Sequence, residues 1–458
     1  MDKTTLRFRG GQTGALAPFA LFLAGVGWLG LEGAPDERGF WPVLLAALVL
    51  GVLLAEDRAA WSEALLRGMS QPVVALMIVA WLFAGCLGAL LAASGLVESL
   101  VWLARTTGVA GAAYVGAAYL IACALSTSTG TSLGTLLLCG PLLYPAGAAL
   151  GSDPAFLMGA ILAGVTFGDS LSPISDTTIA SAMTQGADVP GVVRARLKYA
   201  LPAAAVALVV YLFLGGGGAP LRAPSVADAG SPRGLLMALS PVFVVFLLLR
   251  RRHLVESLLL GILSAVVLGL GFGLFRPEQL VFVDRAHYSA RGLLLDGLER
   301  GVGVSVFTLL LMGLVSTLEA TGLLDRLVAG TKRMARSPRR GEWLIVSVLS
   351  VAVLLTTHSV VAILTTGAFA RETGESLGLT PYRRANLLDL TACTWPFLLP
   401  YFIPTILAAS ASAAGVAAGL PRLSPFTVGV HNAYSWALVL MVAFAVTTGF
   451  GRTEAAPA

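Results

Sequence analysis

The sequence predicts an all-α polytopic membrane protein made of two inverted-topology repeats, with interrupted helices or re-entrant hairpins. Three observations carry this prediction. Of 458 residues, 57% are hydrophobic and only 12% charged, too few charges to clothe a soluble domain of this size. Apolar windows recur along the chain with short polar breaks between them. Two distant stretches, AASGLVESLV from Ala92 and EATGLLDRLV from Glu319, agree in Ala, Ser/Thr, Gly, an apolar pair, an acid and a final apolar pair.

The windows fall near 14–31, 40–55, 72–93, 109–126, 131–149, 155–183, 199–214, 234–249, 254–275, 301–322, 342–357, 359–370, 385–409 and 428–450. Several are shorter than the ~20 residues a crossing helix needs, so they amount to roughly ten to fourteen membrane segments. Lys3, Arg7 and Arg9 precede the first, Ala15 to Leu31, which reads as a span because no small-residue cleavage site follows it. Residues 1–69 form N-terminal membrane segments, 70–214 a first repeat with the ion site, 215–300 connecting loops and membrane segments, and 301–458 the second repeat. Windows 342–357 and 359–370 together suit one re-entrant hairpin.

Positive charge orients the spans. Arg194, Arg196 and Lys198, then Arg250 to Arg252, then Arg326, Lys332, Arg333, Arg336, Arg339 and Arg340 are expected in loops on one side, which the positive-inside rule makes cytoplasmic. Arg371, Arg383 and Arg384 read as loop charges on the same ground. Both termini are then cytoplasmic and loop 276–300 is external. An odd number of spans separates the two copies, so the second enters the membrane from the opposite side.

Composition and motif content also exclude functions. A net charge of +5, mostly in loops, makes no case for nucleic acid. Cys86, Cys123, Cys139 and Cys393 lie in apolar segments without CxxC spacing and read as packing residues. HExxH is absent, which argues against an enzyme, and nothing calls for a cofactor. The expected partners are membrane lipid, a small cation and a small organic solute, and a homodimer is compatible with the chain.

Function concentrates in GVTFGDSLSPISDTTIASA, Gly164 to Ala182, where Asp169 and Asp176 sit among hydroxyl residues in an apolar run. Pro173 removes a backbone donor and pushes Ser172 from the helical region, which predicts an unwound segment between two half-helices. Freed carbonyls with Ser172, Ser175 and Thr177 then supply oxygens for a sodium ion beside the two acids. A second break is expected at Ser126 to Thr135, where Gly130 and Gly134 accompany Thr129, Thr131 and Ser132. Its counterpart is TTHSVVAILTTG, Thr356 to Gly367. Asp389, in NLLDLTACTWPFLLP, reads as the counterpart of Asp169, and joins Asp169 and Asp176 as a proton-coupling acid. His358, Ser359, Thr391 and Trp395 are candidates for contact with an organic solute.

STGTSLGT from Ser128 together with GDSLSPISDTT from Gly168 resembles the NhaC-type sodium/proton antiporters of the ion-transporter superfamily, whose comparable motifs read S-T-G-T-S-W-G-T and G-D-x-x-S-P-x-S-D-T-T. In the second copy the family has an acid followed by S-G-T and later P-W-N, where this chain has Asp389-Leu390-Thr391 and Trp395-Pro396-Phe397. The resemblance implies a secondary transporter of the cell membrane that exchanges sodium for protons by alternating access. Relatives grouped with that family exchange organic acids and amino acids, which leaves a sodium- or proton-coupled transporter of such a solute as the alternative.

Overall fold

A computed structural model of the chain describes residues 6–32, 37–173, 175–217, 232–250, 252–285, 288–323 and 337–452. Helices dominate. Three of them, α1 (Gly11–Leu31), α2 (Trp41–Leu54) and α3 (Arg58–Met69), precede the long α4 (Pro72–Ala93) and the short α5 (Leu96–Thr107). Next come α6 (Ala112–Thr129), α7 (Ser132–Ala149), α8 (Pro154–Leu171), α9 (Asp176–Gln185) and α10 (Val189–Leu214). After α11 (Leu239–Leu249) and α12 (Leu254–Gly271), a single turn α13 (Pro277–Leu280) leads into a small antiparallel hairpin, β1 (Phe282–Asp284) with β2 (Ser289–Arg291). The chain then continues through α14 (Leu293–Glu319), α15 (Pro338–Thr356), α16 (Ser359–Ser376), α17 (Pro381–Ala392), α18 (Ile403–Ala411), α19 (Pro425–Val430) and α20 (Ala433–Thr448).

Among the described residues seven stretches of helix are long and apolar enough to cross a membrane, with shorter apolar helices beside them. The chain is a multi-pass helical membrane protein. With no water in the bilayer core, each backbone polar group needs an internal partner, and helix is the local answer. The run 154–185 is the most deeply enclosed of the spans, with 83% of its apolar window buried. The segment carrying Asp169 is therefore sheathed by protein on nearly every side.

Small residues make that enclosure close. Gly164 and Gly168 bring α8 against α6 at backbone distance: a Cβ on Gly164 would lie 2.6 Å from the Tyr119 carbonyl oxygen, and one on Gly168 would collide with Ser126. The Ser126 hydroxyl donates across this contact to the Val165 carbonyl at 2.9 Å. One substitution to a larger side chain at Gly168 would part the two helices.

Two helical hairpins converge on the interior. The outer ends of α6 and α7 are adjacent, since the Gly111 N–H donates to the Leu150 carbonyl at 2.7 Å, so the pair is a hairpin with its tip at Gly130. Likewise Gly341 at the start of α15 packs against Leu377 after α16, and that hairpin has its tip at Thr357. The break at each tip has one backbone form. Gly130 is left-handed at φ 67, ψ 16 and Thr131 extended at φ −130, ψ 115; Thr357 is left-handed at φ 53, ψ 14 and His358 extended at φ −137, ψ 113. Positive-φ glycines repeat in the same register, Gly95 with Gly322 and Gly151 with Gly378, and every one of these pairs is separated by the same number of residues.

Two expectations about charge need correction. Arg194, Arg196 and Lys198 belong to α10, not to a loop, and Arg196 is wholly buried. Arg383 and Arg384 are buried within α17. Arg251, Arg326, Lys332, Arg333 and Arg336 lie outside the described residues.

Candidate functional site

The α8–α9 break is as Pro173 requires. Helix α8 ends at Leu171, Ser172 turns extended at φ −68, ψ 130, and α9 begins at Asp176 with Ser175 extended before it. Asp169 thus stands in the last turn of one half-helix and Asp176 in the first turn of the next. Asp176 accepts the backbone N–H of Thr177 at 2.8 Å, and the amide ends of α9 favour its negative charge. Asp169 is held from behind, where the Ser175 hydroxyl donates to Oδ1 at 3.0 Å and itself meets the Thr177 hydroxyl at 3.0 Å.

Both acids face a cavity of about 230 Å³. Thr131 and Ser132 reach it from the first hairpin tip, Thr177 from the α8–α9 break, and Thr357, His358 and Ser359 from the second tip. Trp81, Phe397 and several aliphatic side chains complete the wall, and among the described residues no lysine or arginine lines it. His358 Nδ1 and Thr357 Oγ1 are buried here without a hydrogen-bond partner in the described structure, polar groups left for something in the cavity.

Other candidates are placed differently. Ser172 and Ser175 are fully buried beside the cavity, and Ser175 acts on Asp169 instead of facing the open space. The Thr129 hydroxyl pairs with that of Thr135 at 3.1 Å inside the hairpin tip. Thr391 is buried. Trp395 turns its indole N–H to Ser350 on α15 at 2.9 Å, so its neighbours Pro396 and Phe397 form the wall in its place.

Asp389 also requires correction. It is fully buried in α17, away from the cavity lining, and forms an ion pair with Arg196 Nη1. The Thr178 hydroxyl donates to its Oδ2 at 3.0 Å, and the Cys393 thiol lies 3.3 Å from its Oδ1 and 4.0 Å from Asp169 Oδ2. Nor is it the counterpart of Asp169. Counted from the matched tips, Asp169 falls opposite Pro396, Asp389 opposite Leu162, and Pro173 opposite Pro400. From sequence Arg196 reads only as a loop charge and Cys393 only as a packing residue, and Asn386 and Thr178 carry no assigned role. The available signal was Asp389 itself, since an acid in an apolar run needs a nearby cation.

A second charged layer lies at the ends of these helices. Arg383 binds Glu342 as a fork, Nε at 2.9 Å and Nη2 at 3.0 Å, and Arg452 binds the same carboxylate at 3.0 and 2.6 Å. Arg384 donates to the Leu379 carbonyl at 2.6 Å and to Gln185 at 3.1 Å. Beyond the membrane ends, Asp188 caps α10 and takes a hydrogen bond from Tyr382, which holds its carboxyl below the usual carboxylate range.

The profile of the Na+/H+ antiporter family matches residues 18–216 and 230–418, most of the chain. The chain belongs to the Na+/H+ antiporter family. Within this family's reach, it is 28% identical to the Na+/H+ antiporter NhaC of Alkalihalophilus pseudofirmus over 49% of its own length and 50% of the relative's. It is 29% identical to the malate-2H+/Na+-lactate antiporter of Bacillus subtilis over 40% of its length and 38% of that protein's. The arginine/ornithine antiporter ArcD of Halobacterium salinarum is matched more fully, at 25% identity over 72% of this chain and 73% of the relative. The chain thus spans about half or less of the length of the first two relatives. All three are antiporters by name.

Proposed function

We propose that this antiporter-family protein exchanges sodium for protons at Asp169 and Asp176 by alternating access. The observation that carries the reading is a pair of carboxylates, Asp169 buried and Asp176 open to the cavity, one on each side of a broken helix, facing a shared cavity whose described lining offers no lysine or arginine. A carboxylate enclosed by protein keeps its charge only with a proton or cation beside it. Sodium suits the remaining oxygens of Thr131, Ser132 and Thr177. Because one carboxylate cannot serve both partners fully, arrival of sodium releases the proton, and the two fluxes run oppositely.

The inverted repeat supports this cycle. The outer ends of the α6–α7 hairpin lie with the start of α8 and the end of α10, where the Asp153 N–H donates to the Gly215 carbonyl at 2.9 Å. The outer ends of the α15–α16 hairpin lie with Arg383, Arg384 and Arg452, at the opposite end of α8–α9, where Arg384 meets Gln185. Hairpins entering from opposite faces bring their tips to one cavity, the arrangement in which access alternates. The arginine-rich face is cytoplasmic by the positive-inside rule, which places both termini inside the cell.

A second reading has its own support. A cavity of about 230 Å³ exceeds what one partly hydrated sodium needs, and His358 and Thr357 present unpaired polar atoms to it. Organic cargo such as the acids or amino acids named for two relatives fits that excess; an acid would have to enter with cations to meet two carboxylates. Purified protein in proteoliposomes separates the readings. Sodium-driven proton flux with no organic solute present upholds the first; flux that appears only with a labelled carboxylate or amino acid overturns it in favour of the second.

A further inference from the structure

The exchange cycle makes no use of Arg196, although it is the largest fully buried side chain among the described residues. Its contacts differ from those of an ordinary buried arginine. Three oxygens meet one nitrogen, Nη1: the Asp389 carboxylate, the Ser170 carbonyl in the last turn of α8, and the Thr178 hydroxyl at 2.9 Å. Nε donates to the Asn386 side-chain oxygen at 2.9 Å. Nη2 is buried with no hydrogen-bond partner in the described structure. Arg383 supplies the comparison within the same molecule, gripping Glu342 with two parallel N–H groups as a guanidinium normally does.

A site shaped for a guanidinium spreads its acceptors along the fork, whereas a site shaped for a point charge gathers them at one spot. The second description fits here. The oxygens gathered there are a carboxylate, a helix-end carbonyl and a hydroxyl, the hard oxygen class that holds small cations, with the Asn386 amide oxygen beside them on Nε. We infer that Arg196 Nη1 is a resident cation filling a second cation position, and that this position takes a sodium ion once the guanidinium is removed.

The inference rests on Asp169 and Asp176 being the exchanging acids, because Arg196 then acts as their fixed neighbour. Ser170 follows Asp169 directly, and the Cys393 thiol stands between the carboxylates of Asp169 and Asp389. A guanidinium tethered to α10 can neither leave nor give up its proton, so Asp389 stays neutralised through the whole cycle. The number of cations moved per turn is thereby lower than the count of buried acids suggests. Arg196 is a specificity-determining residue, not a carrier.

Equilibrium binding of radiolabelled sodium to purified protein tests this. Arg196→Gln should bind one more sodium per protein than wild type, Arg196→Lys should match wild type, and Arg196→Gln with Asp389→Asn should also match it. Equal sodium in wild type and Arg196→Gln, or a gain that persists in the double variant, overturns the proposal. Since Arg196→Gln leaves Asp389 buried and uncompensated, its thermal unfolding is measured in sodium chloride against choline chloride. Sodium should raise the midpoint of Arg196→Gln more than that of the double variant, and an equal response overturns the proposal even where the single variant is too unstable for binding work. If wild type binds no sodium, the exchange reading fails by itself, while the difference between the two variants still decides the second position.

Discussion

At the scale of single residues, the site divides into groups that face the cavity and groups that hold them. Asp169→Asn and Asp176→Asn each preserve volume and much of the hydrogen bonding but cannot trade a proton for a cation. Each is expected to abolish sodium-driven proton flux in proteoliposomes with size-exclusion profile and membrane insertion unchanged, and near-normal flux in either variant removes that acid from the site. Sequence alone reached these two acids because carboxylates in an apolar, proline-broken run have few structural uses. It did not reach Arg196 or Arg383. Counting positive charges as orientation markers treats every arginine near a span end as a loop residue, yet burial with Asp389 or Glu342 is what balances them here. Asp389 was paired with Asp169 because both are acids, whereas the prolines Pro173 and Pro400 carry the true register.

At the scale of elements, hairpin tips do what continuous helix cannot. Each tip uses one left-handed residue to reverse the chain and uncover backbone, and the first uses Gly130, for which that conformation costs little. The second uses Thr357, a β-branched residue at φ 53, where such side chains are strained by roughly 1–2 kcal/mol. Strain kept at a cavity wall marks a side chain in use. Thr357→Gly is expected to hold or raise thermal stability, by about 1 kcal/mol, while slowing exchange. A fall in stability as large as a core truncation would show instead that the Thr357 side chain is structural. Glycines in apolar runs and clustered hydroxyls made both tips visible in the sequence. The windows suit a hairpin of α15 and α16, but not the matching fold-back of α6 on α7, since hydropathy is blind to direction.

At the scale of the whole molecule, the prediction concerns sidedness. Val283 in the β1–β2 hairpin is 70% exposed, and Arg340 at the start of α15 is also exposed. Cysteine at Arg340 should react with an impermeant maleimide only in inside-out vesicles, and cysteine at Val283 only in right-side-out ones. Because the four native cysteines are buried, background labelling should be low. Equal access at both positions would break the arrangement of opposed hairpins, and with it the alternating cavity. Membrane class and broken helices could be read from composition and proline. The depth at which the halves meet could not, because it depends on glycine contacts such as Gly168 with Ser126 that only assembled helices create.

One of those buried cysteines has a further consequence. Cys393 lies within reach of both Asp169 and Asp389, so the chain carries a native chemical reporter between the cavity acid and the buried ion pair. A small methanethiosulfonate should alkylthiolate it only when conformational breathing admits water from the reagent's side, turning a static contact into a clock for gating. Sodium at Asp169 should slow that reaction and Cys393→Ala should erase it. Labelling at one rate with and without sodium would mean that the thiol and the ion do not share an entrance.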